Sequence, residues 1–324
     1  MKRVVFPEGD DERVLRAASV IVRKNIAKVI LLGDIDKILG KMEKLKLRFN
    51  VSIINPETAT EKDVYAQTLY ELRRKKGLTV SETIRLIKNP NYFACMMLHE
   101  GDCDAVLSGS VYSTAEMLRP AFQIIKTGKN VKRASGAILL KIKSKDYLFA
   151  DCSVQENPDE NELAEIALLS SKTFEKLTGK KARIAMLSYH TRSLTSKRFA
   201  QSASKRFAQS PGNSEFFIKM RKATDIAKRY HLKVEGEIQL DAAIEKETSL
   251  RKKSRFIDAN VLIFPDLDAG NIGYKLVKIF ADAKMTGVII QGLKKPVNNM
   301  SRGCSVNDIV ELTKATIKQI AWQF

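Results

Sequence analysis

Two hydrophobic periods alternate along the chain. Short apolar runs at 3–6, 29–32, 51–54, 105–107, 184–187, 233–236, 261–264 and 286–290 predict buried strands. Between them, apolar residues fall three or four apart, as Val14, Leu15, Ala18 and Ile21 do after Asp11, and predict helices. Other helices are expected after Gly33-Asp34, over 61–74, 215–230 and from 241, with Gly77 as a breaker. A capping residue followed three positions on by an acid marks helix starts at Thr79-Glu82, Ser113-Glu116, Asp159-Glu162 and Ser305-Asp308. Pro120 should kink or restart the helix that Ser113 opens. Runs 137–142 and 148–150, joined by the charged turn 143–146, predict a hairpin. Strands alternating with helices make this an α/β chain with mostly parallel sheets, in which ligands sit beyond the carboxyl ends of the strands.

The stretch 292–308 joins the strand at 286–290 to a helix over 306–322 with Ile309, Val310, Leu312, Ile317 and Ile320 on its apolar positions. Ser301, Arg302 and Gly303 precede the Ser305-Asp308 box. A helix N-terminus attracts anions, an arginine strengthens the attraction, and a carboxylate beside it can serve as a base. The same residues also suit a plain cap and a surface ion pair, and spacing leaves both readings open. Two further helix entrances carry small or polar residues that suit close approach of a ligand: Ser108 to Glu116, with Arg119 one turn on, and Pro265 to Lys275, with Asn271 and Tyr274. An ordinary strand-to-helix turn and packing at an interface explain them equally.

At 324 residues and 44% hydrophobic, the chain can bury two cores. No apolar run approaches the ~18 residues of a membrane helix, and the apolar start ends at Pro7, too short for a signal segment. A cytosolic, cytoplasmic protein is therefore expected. Four scattered cysteines and three histidines, with no CxxC pair, argue against a zinc or disulfide framework, so no metal is expected. The net charge of +19 is spread along the chain and aromatics make up 7%, a pattern that speaks for solvated faces and against a nucleic-acid module. One tract differs in kind. Ser196 to Ser202 reads Ser-Lys-Arg-Phe-Ala-Gln-Ser and recurs from Ser204 to Ser210, a tandem duplication inside a basic insertion, 191–213.

Laid out in order, four motifs carry a resemblance: Val-Val-Phe-Pro-Glu-Gly-Asp-Asp-Glu-Arg-Val-Leu (4–15), Ser-Thr-Ala-Glu-Met-Leu-Arg-Pro-Ala-Phe-Gln-Ile-Ile-Lys-Thr (113–127), Phe-Pro-Asp-Leu-Asp-Ala-Gly-Asn-Ile-Gly-Tyr-Lys (264–275) and Lys-Pro-Val-Asn-Asn-Met-Ser-Arg-Gly-Cys-Ser (295–305). Together the chain resembles the phosphate acetyl/butyryltransferase family over nearly its whole length. The resemblance implies a fold like isocitrate and isopropylmalate dehydrogenases, with two α/β/α domains, an active-site cleft between them and assembly as a homodimer. The expected domains are 1–145 with 296–324, and 146–295. The implied activity is that of an acyltransferase moving acetyl between acetyl phosphate and coenzyme A, with CoA a substrate and no cofactor permanently bound.

The resemblance places a base at Asp308, anion contacts at Ser301 and Arg302, and CoA contacts at Arg133 and, of the pair Arg73-Arg74, at Arg73. Ser113, Thr114, Arg119, Asn271 and Tyr274 match positions that line the family's cleft. A free thiol ionises near 8.5 and an ordinary aspartate near 3.9, so Asp308 needs help from its surroundings to take a thiol proton. Cys304, beside Arg302 at a helix start, is a rival nucleophile. Three departures stand out. His190, Arg192 and the duplication replace a short polar loop, Cys95 stands where a small residue or Thr is usual, and Asn299 replaces a usual Asp. Butyryl transfer, or an inactive basic protein docking nucleic acid or an acidic partner through 191–213, are the competing functions; a dehydrogenase is disfavoured by the absence of a GxGxxG fingerprint.

Overall fold

The computed structural model describes residues 1–191 and 213–322, with no side chains described over 213–217. The duplication at 196–210 lies outside the described residues. In chain order the elements are β1 (Arg3–Phe6), α1 (Glu12–Arg23), β2 (Lys28–Leu32), α2 (Ile35–Lys44), β3 (Ser52–Ile54), α3 (Lys62–Arg73), α4 (Val80–Ile87), α5 (Pro90–Glu100), β4 (Ala105–Ser108), α6 (Thr114–Pro120), β5 (Ser135–Ile142), β6 (Lys145–Ala150), α7 (Glu160–Thr178), β7 (Ile184–Leu187), α8 (Asn213–Arg229), β8 (Val234–Ile238), α9 (Leu240–Ile244), α10 (Lys246–Arg251), β9 (Val261–Ile263), α11 (Leu267–Phe280), β10 (Lys284–Gln291), β11 (Val297–Asn299) and α12 (Val306–Ile320). A tight turn, Arg74–Lys76, ends α3, and a wider π-type turn, Ala121–Ile125, follows Pro120.

Two compact units result, Met1–Ala134 with Thr286–Phe324, and Ser135–Met285. In the first, strands run in the order β3-β2-β1-β4-β11-β10. All neighbours are parallel except β10 and β11. Val4, Val5, Phe6, Leu31 and Leu107 are fully buried there; α1 packs against α12, and Leu15, Ile21, Ile309 and Leu312 on these helices are fully buried too. The carboxyl ends of β1, β4 and β11 thus lie side by side.

The second unit orders its strands β5-β6-β9-β7-β8. The β5–β6 hairpin is antiparallel and the remaining pairs are parallel. Leu163, Ile166 and Phe174 on α7 pack with Leu148, Met186, Val261, Ile263 and Met220 to form its core. All four predicted capping boxes form, each with reciprocal hydrogen bonds. Two elements escape the sequence pattern. Helix α5 buries every residue from Asn91 to Leu98, so it has no polar face to announce it. Strand β11 is three residues long inside a stretch read as a connection.

Candidate active site

Three connections meet at the carboxyl ends of adjacent parallel strands: 7–11 after β1, 109–113 after β4, and 300–305 after β11. Glu8 organises the second of them. It is 3% exposed, and its two oxygens accept from the N–H groups of Gly109, Ser110, Val111 and Tyr112 and from the Ser110 hydroxyl, at 2.8–3.1 Å. The loop thus satisfies its inward-facing donors on one internal side chain. Gly109 is required here. Its φ is +107°, and a Cβ would come within 2.0 Å of the Asn299 side-chain oxygen.

Arg13 joins all three connections. Its Nη1 donates to the carbonyl of Arg302 at 2.6 Å and more distantly to that of Cys304, while Nη2 donates to the Ser110 carbonyl at 2.8 Å. Asp11, the N-cap of α1, holds the guanidinium through Nε and Nη2 at 3.1 and 2.7 Å. Burial pushes the Asp11 carboxyl up, but the hydrogen bonds and charge of Arg13 outweigh burial and leave it below its ordinary value. Asn299 adds a second tie. Its Nδ2 donates to Thr114 Oγ1 at 3.0 Å, and its Oδ1 accepts from the Ser301 N–H at 3.2 Å.

Ser301 and Arg302 therefore lie on one braced loop, and Asp308 sits in the first turn of α12, which follows it. Ser301 sits at φ +58°, a left-handed conformation that turns the chain sharply before α12. The Arg302 side chain is exposed, and among the described residues its guanidinium makes no hydrogen bond or ion pair. Asp308 Oδ2 accepts from the Ser305 N–H at 2.9 Å, and Ser305 Oγ accepts from the Asp308 N–H at 3.1 Å. Cys304, between them, is buried, and burial pushes its thiol up to about 11.

Ser113 and Thr114 open α6 beside this loop. The Ser113 hydroxyl is committed to Glu116, donating to Oε2 at 2.7 Å and accepting from the N–H. The Ser113 bonds hold the Glu116 carboxyl below its ordinary value, and the charges of Arg302 and Arg119 add to the effect, which puts both arginines in its neighbourhood. Arg119 and Arg73 also act on Tyr92, whose phenol is raised by burial and lowered by these two charges. Arg73 is thus linked to the α6 side of the first unit through Tyr92. Arg133 is exposed just before β5, away from these elements in sequence and secondary structure.

Within the second unit, Asn271 and Tyr274 share the first turns of α11. Asn271 Nδ2 donates to the Cys152 carbonyl at 3.0 Å, and Tyr274 is 8% exposed with its phenol raised by burial. Gly270 lets this helix close on β6's exit, since a Cβ would lie 2.1 Å from the Asp151 carbonyl. Asp151 is itself buried and accepts from the N–H groups of Gly136, Ser153, Val154 and Gln155. Burial raises its carboxyl against those four bonds. Among the described residues no group of histidines, cysteines and acids could hold a metal ion.

Comparison with known proteins decides the family. The family model described as Phosphate acetyl/butaryl transferase matches residues 1–317. The chain belongs to this family. The phosphate acetyltransferase of Acetivibrio thermocellus is 42% identical over 330 residues, covering 98% of this chain and 94% of that protein. A solved phosphotransacetylase from Streptococcus pyogenes is 36% identical, covers 99% of this chain and 94% of its own, and has a TM-score of 0.86. A protein assigned as a 4-hydroxythreonine-4-phosphate dehydrogenase from Salmonella typhimurium is 13% identical at a TM-score of 0.51, covering 99% of this chain and 96% of its own. That last likeness concerns the fold alone, and it agrees with the expected dehydrogenase-like architecture.

This family member is an acyltransferase, and its activity is phosphate acetyl transfer. Three residues that brace its site carry no prediction from sequence: Glu8, Arg13, and Asn299 as a tie to Thr114. Arg13 had a signal. A cation in the first turn of a helix opposes the dipole, so it needs a reason from outside the helix. Glu8 had a weaker one, an acid two residues past a buried strand where a turn residue suffices.

Proposed function

We propose that this transferase moves an acetyl group between acetyl phosphate and coenzyme A by direct thiolate attack in a ternary complex. The CoA sulfur bonds to the carbonyl carbon, its proton passes to Asp308, and the carbon–oxygen bond to phosphate breaks as the tetrahedral centre collapses. Phosphate leaves with its bonding pair. Ser301 and Arg302 hold the phosphoryl group and the charge that develops on the carbonyl oxygen, where lost stabilisation typically costs about 3–4 kcal/mol. Thr114, Ser113 and Arg119 line the same site, Arg73 and Arg133 meet the phosphates of CoA, and Asn271 and Tyr274 contact substrate from α11. CoA is a substrate, with no cofactor retained and no metal required. The enzyme works in the cytoplasm as a homodimer.

The observation that carries this reading is the braced loop itself. The main chain of Arg302 is pinned by Arg13 at 2.6 Å, while its charged end makes no hydrogen bond or ion pair among the described residues and acts on Glu116 only at a distance. A positive charge held in this way beside a helix N-terminus favours a thiolate and an oxyanion. The Ser305 N–H holds one oxygen of the Asp308 carboxylate at 2.9 Å. Cys304 is a poor rival, because a buried thiol pushed up to about 11 stays protonated near neutrality. No described helix is long and apolar enough to cross a membrane, in keeping with an enzyme that meets dissolved substrates. For the dimer, α11 presents Ile272, Leu276, Ile279 and Phe280 at 57, 49, 71 and 82% exposure on one stripe, an apolar face suited to a second copy.

The test is CoA-dependent release of phosphate from acetyl phosphate, with butyryl phosphate alongside, in wild type, Asp308→Asn and Cys304→Ala. Turnover lost in Asp308→Asn with CoA binding retained, and kept in Cys304→Ala, supports the scheme. An acetyl group trapped on Cys304 would overturn it.

A further inference from the structure

Asn299 is 5% exposed at the end of β11, and its neighbours decide which way its amide points. The Ser301 N–H can only donate, and it lies 3.2 Å from one end of the amide, which must be the oxygen. The NH2 end therefore faces Thr114 and donates to its hydroxyl at 3.0 Å. A hydroxyl that accepts from an amide keeps its own proton for another acceptor. Among the described residues none takes it. Ser113, next to it, spends its proton on Glu116.

We propose that Asn299 is a positioning residue that makes Thr114 a hydrogen-bond donor to the phosphoryl group of acetyl phosphate and to free phosphate. The inference rests on the reading of Thr114 as part of the phosphate site. The aspartate expected at this position from the family resemblance would act in the opposite sense. Its two oxygens would accept the Ser301 N–H and the Thr114 proton, so Thr114 would turn its lone pairs toward the anion. It would also add a negative charge beside the phosphate. This chain thus carries a donor where an aspartate would leave an acceptor, with the backbone course unchanged, because Asn and Asp have one shape.

The experiment compares wild type, Asn299→Asp, Thr114→Val, Thr114→Ser and the Asn299→Asp/Thr114→Val double variant. The readouts are phosphate affinity by calorimetry and KM for acetyl phosphate, with KM for CoA and urea unfolding as controls. Losing one such bond to a charged acceptor corresponds to roughly ten- to 150-fold in affinity. Thr114→Val should weaken phosphate and acetyl phosphate within that range, and Thr114→Ser should restore them. Asn299→Asp should weaken both by at least as much, and adding Thr114→Val to it should cost nothing further, while KM for CoA stays put. Effects of the two substitutions that multiply, or phosphate affinity indifferent to Thr114→Val, overturn the inference while leaving the transferase reading intact. A folded wild type without turnover or phosphate binding fails that reading, and this inference with it. Should Asn299→Asp not fold, Thr114→Val against Thr114→Ser decides whether the hydroxyl is a phosphate donor, and equal affinities overturn the inference.

Discussion

Replacing Glu8 by Gln removes a charge without changing shape, so its cost follows from hydrogen bonds alone. All five partners of Glu8 are placed as donors, and an amide can accept at only one end. If the NH2 replaced Oε1, the N–H groups of Val111 and Tyr112 would both face a donor. If it replaced Oε2, Gly109 could still reach the remaining oxygen at 3.1 Å and the Ser110 hydroxyl could turn to accept. Only the Ser110 N–H would then be stranded. The second orientation is the cheaper. One buried unpaired donor costs about 1–3 kcal/mol, and the bonds that remain lose their charge assistance, which brings the total to about 2–4 kcal/mol.

That loss should appear as a lower urea midpoint at an unchanged m-value, since no cavity or new surface is created. It should also appear in turnover, because the 109–112 loop leads directly into Ser113 and Thr114. Glu8→Asp keeps the carboxyl but retracts it by one methylene and should do no better than Gln. A Glu8→Gln enzyme that unfolds within 0.5 kcal/mol of wild type, roughly the limit of a neutral surface change, would refute this account.

Arg13→Lys should lower kcat/KM by roughly ten- to a hundred-fold, because one ammonium cannot span the Arg302 and Ser110 carbonyls together with Asp11. Kinetics read beside unfolding separate this from bulk destabilisation, and an unchanged kcat/KM would make the brace merely structural. Asp11 has its carboxyl lowered in the fold, so it contributes stability that is present above its ordinary value of 3.8 and lost as pH falls below it. Asp11→Asn should flatten part of the acid limb of a urea-midpoint series below about pH 4, and an unaltered slope would remove Asp11 from that limb. If the proposed homodimer forms through α11, wild type should sediment as a dimer and aspartates at Ile279 and Phe280 should convert it to monomers; a monomeric wild type would remove the dimer, and a persisting dimer would place the interface elsewhere.

The capping boxes show why much of this site was legible. Ser305-Asp308 and Ser113-Glu116 are local motifs whose geometry is set within one helical turn, so spacing alone places their atoms. The strands were legible for the same kind of reason, since a parallel sheet buried on both faces leaves uninterrupted apolar runs. Glu8, Arg13 and Asn299 obey no such rule. Glu8 reaches residues about a hundred positions away, Arg13 reaches Arg302 at the other end of the chain, and Asn299 reaches Thr114. Their partners become neighbours only because β1, β4 and β11 lie side by side, and β11 is too short to register as a strand by pattern. A three-residue strand forms here because its register is imposed by β4, with Val297, Asn298 and Asn299 opposite Val106, Leu107 and Ser108. Tertiary pairing thus creates both the strand and the position from which Asn299 acts. In this enzyme the proposed reacting groups are written in local motifs, and the side chains that brace their loop are written across the sheet.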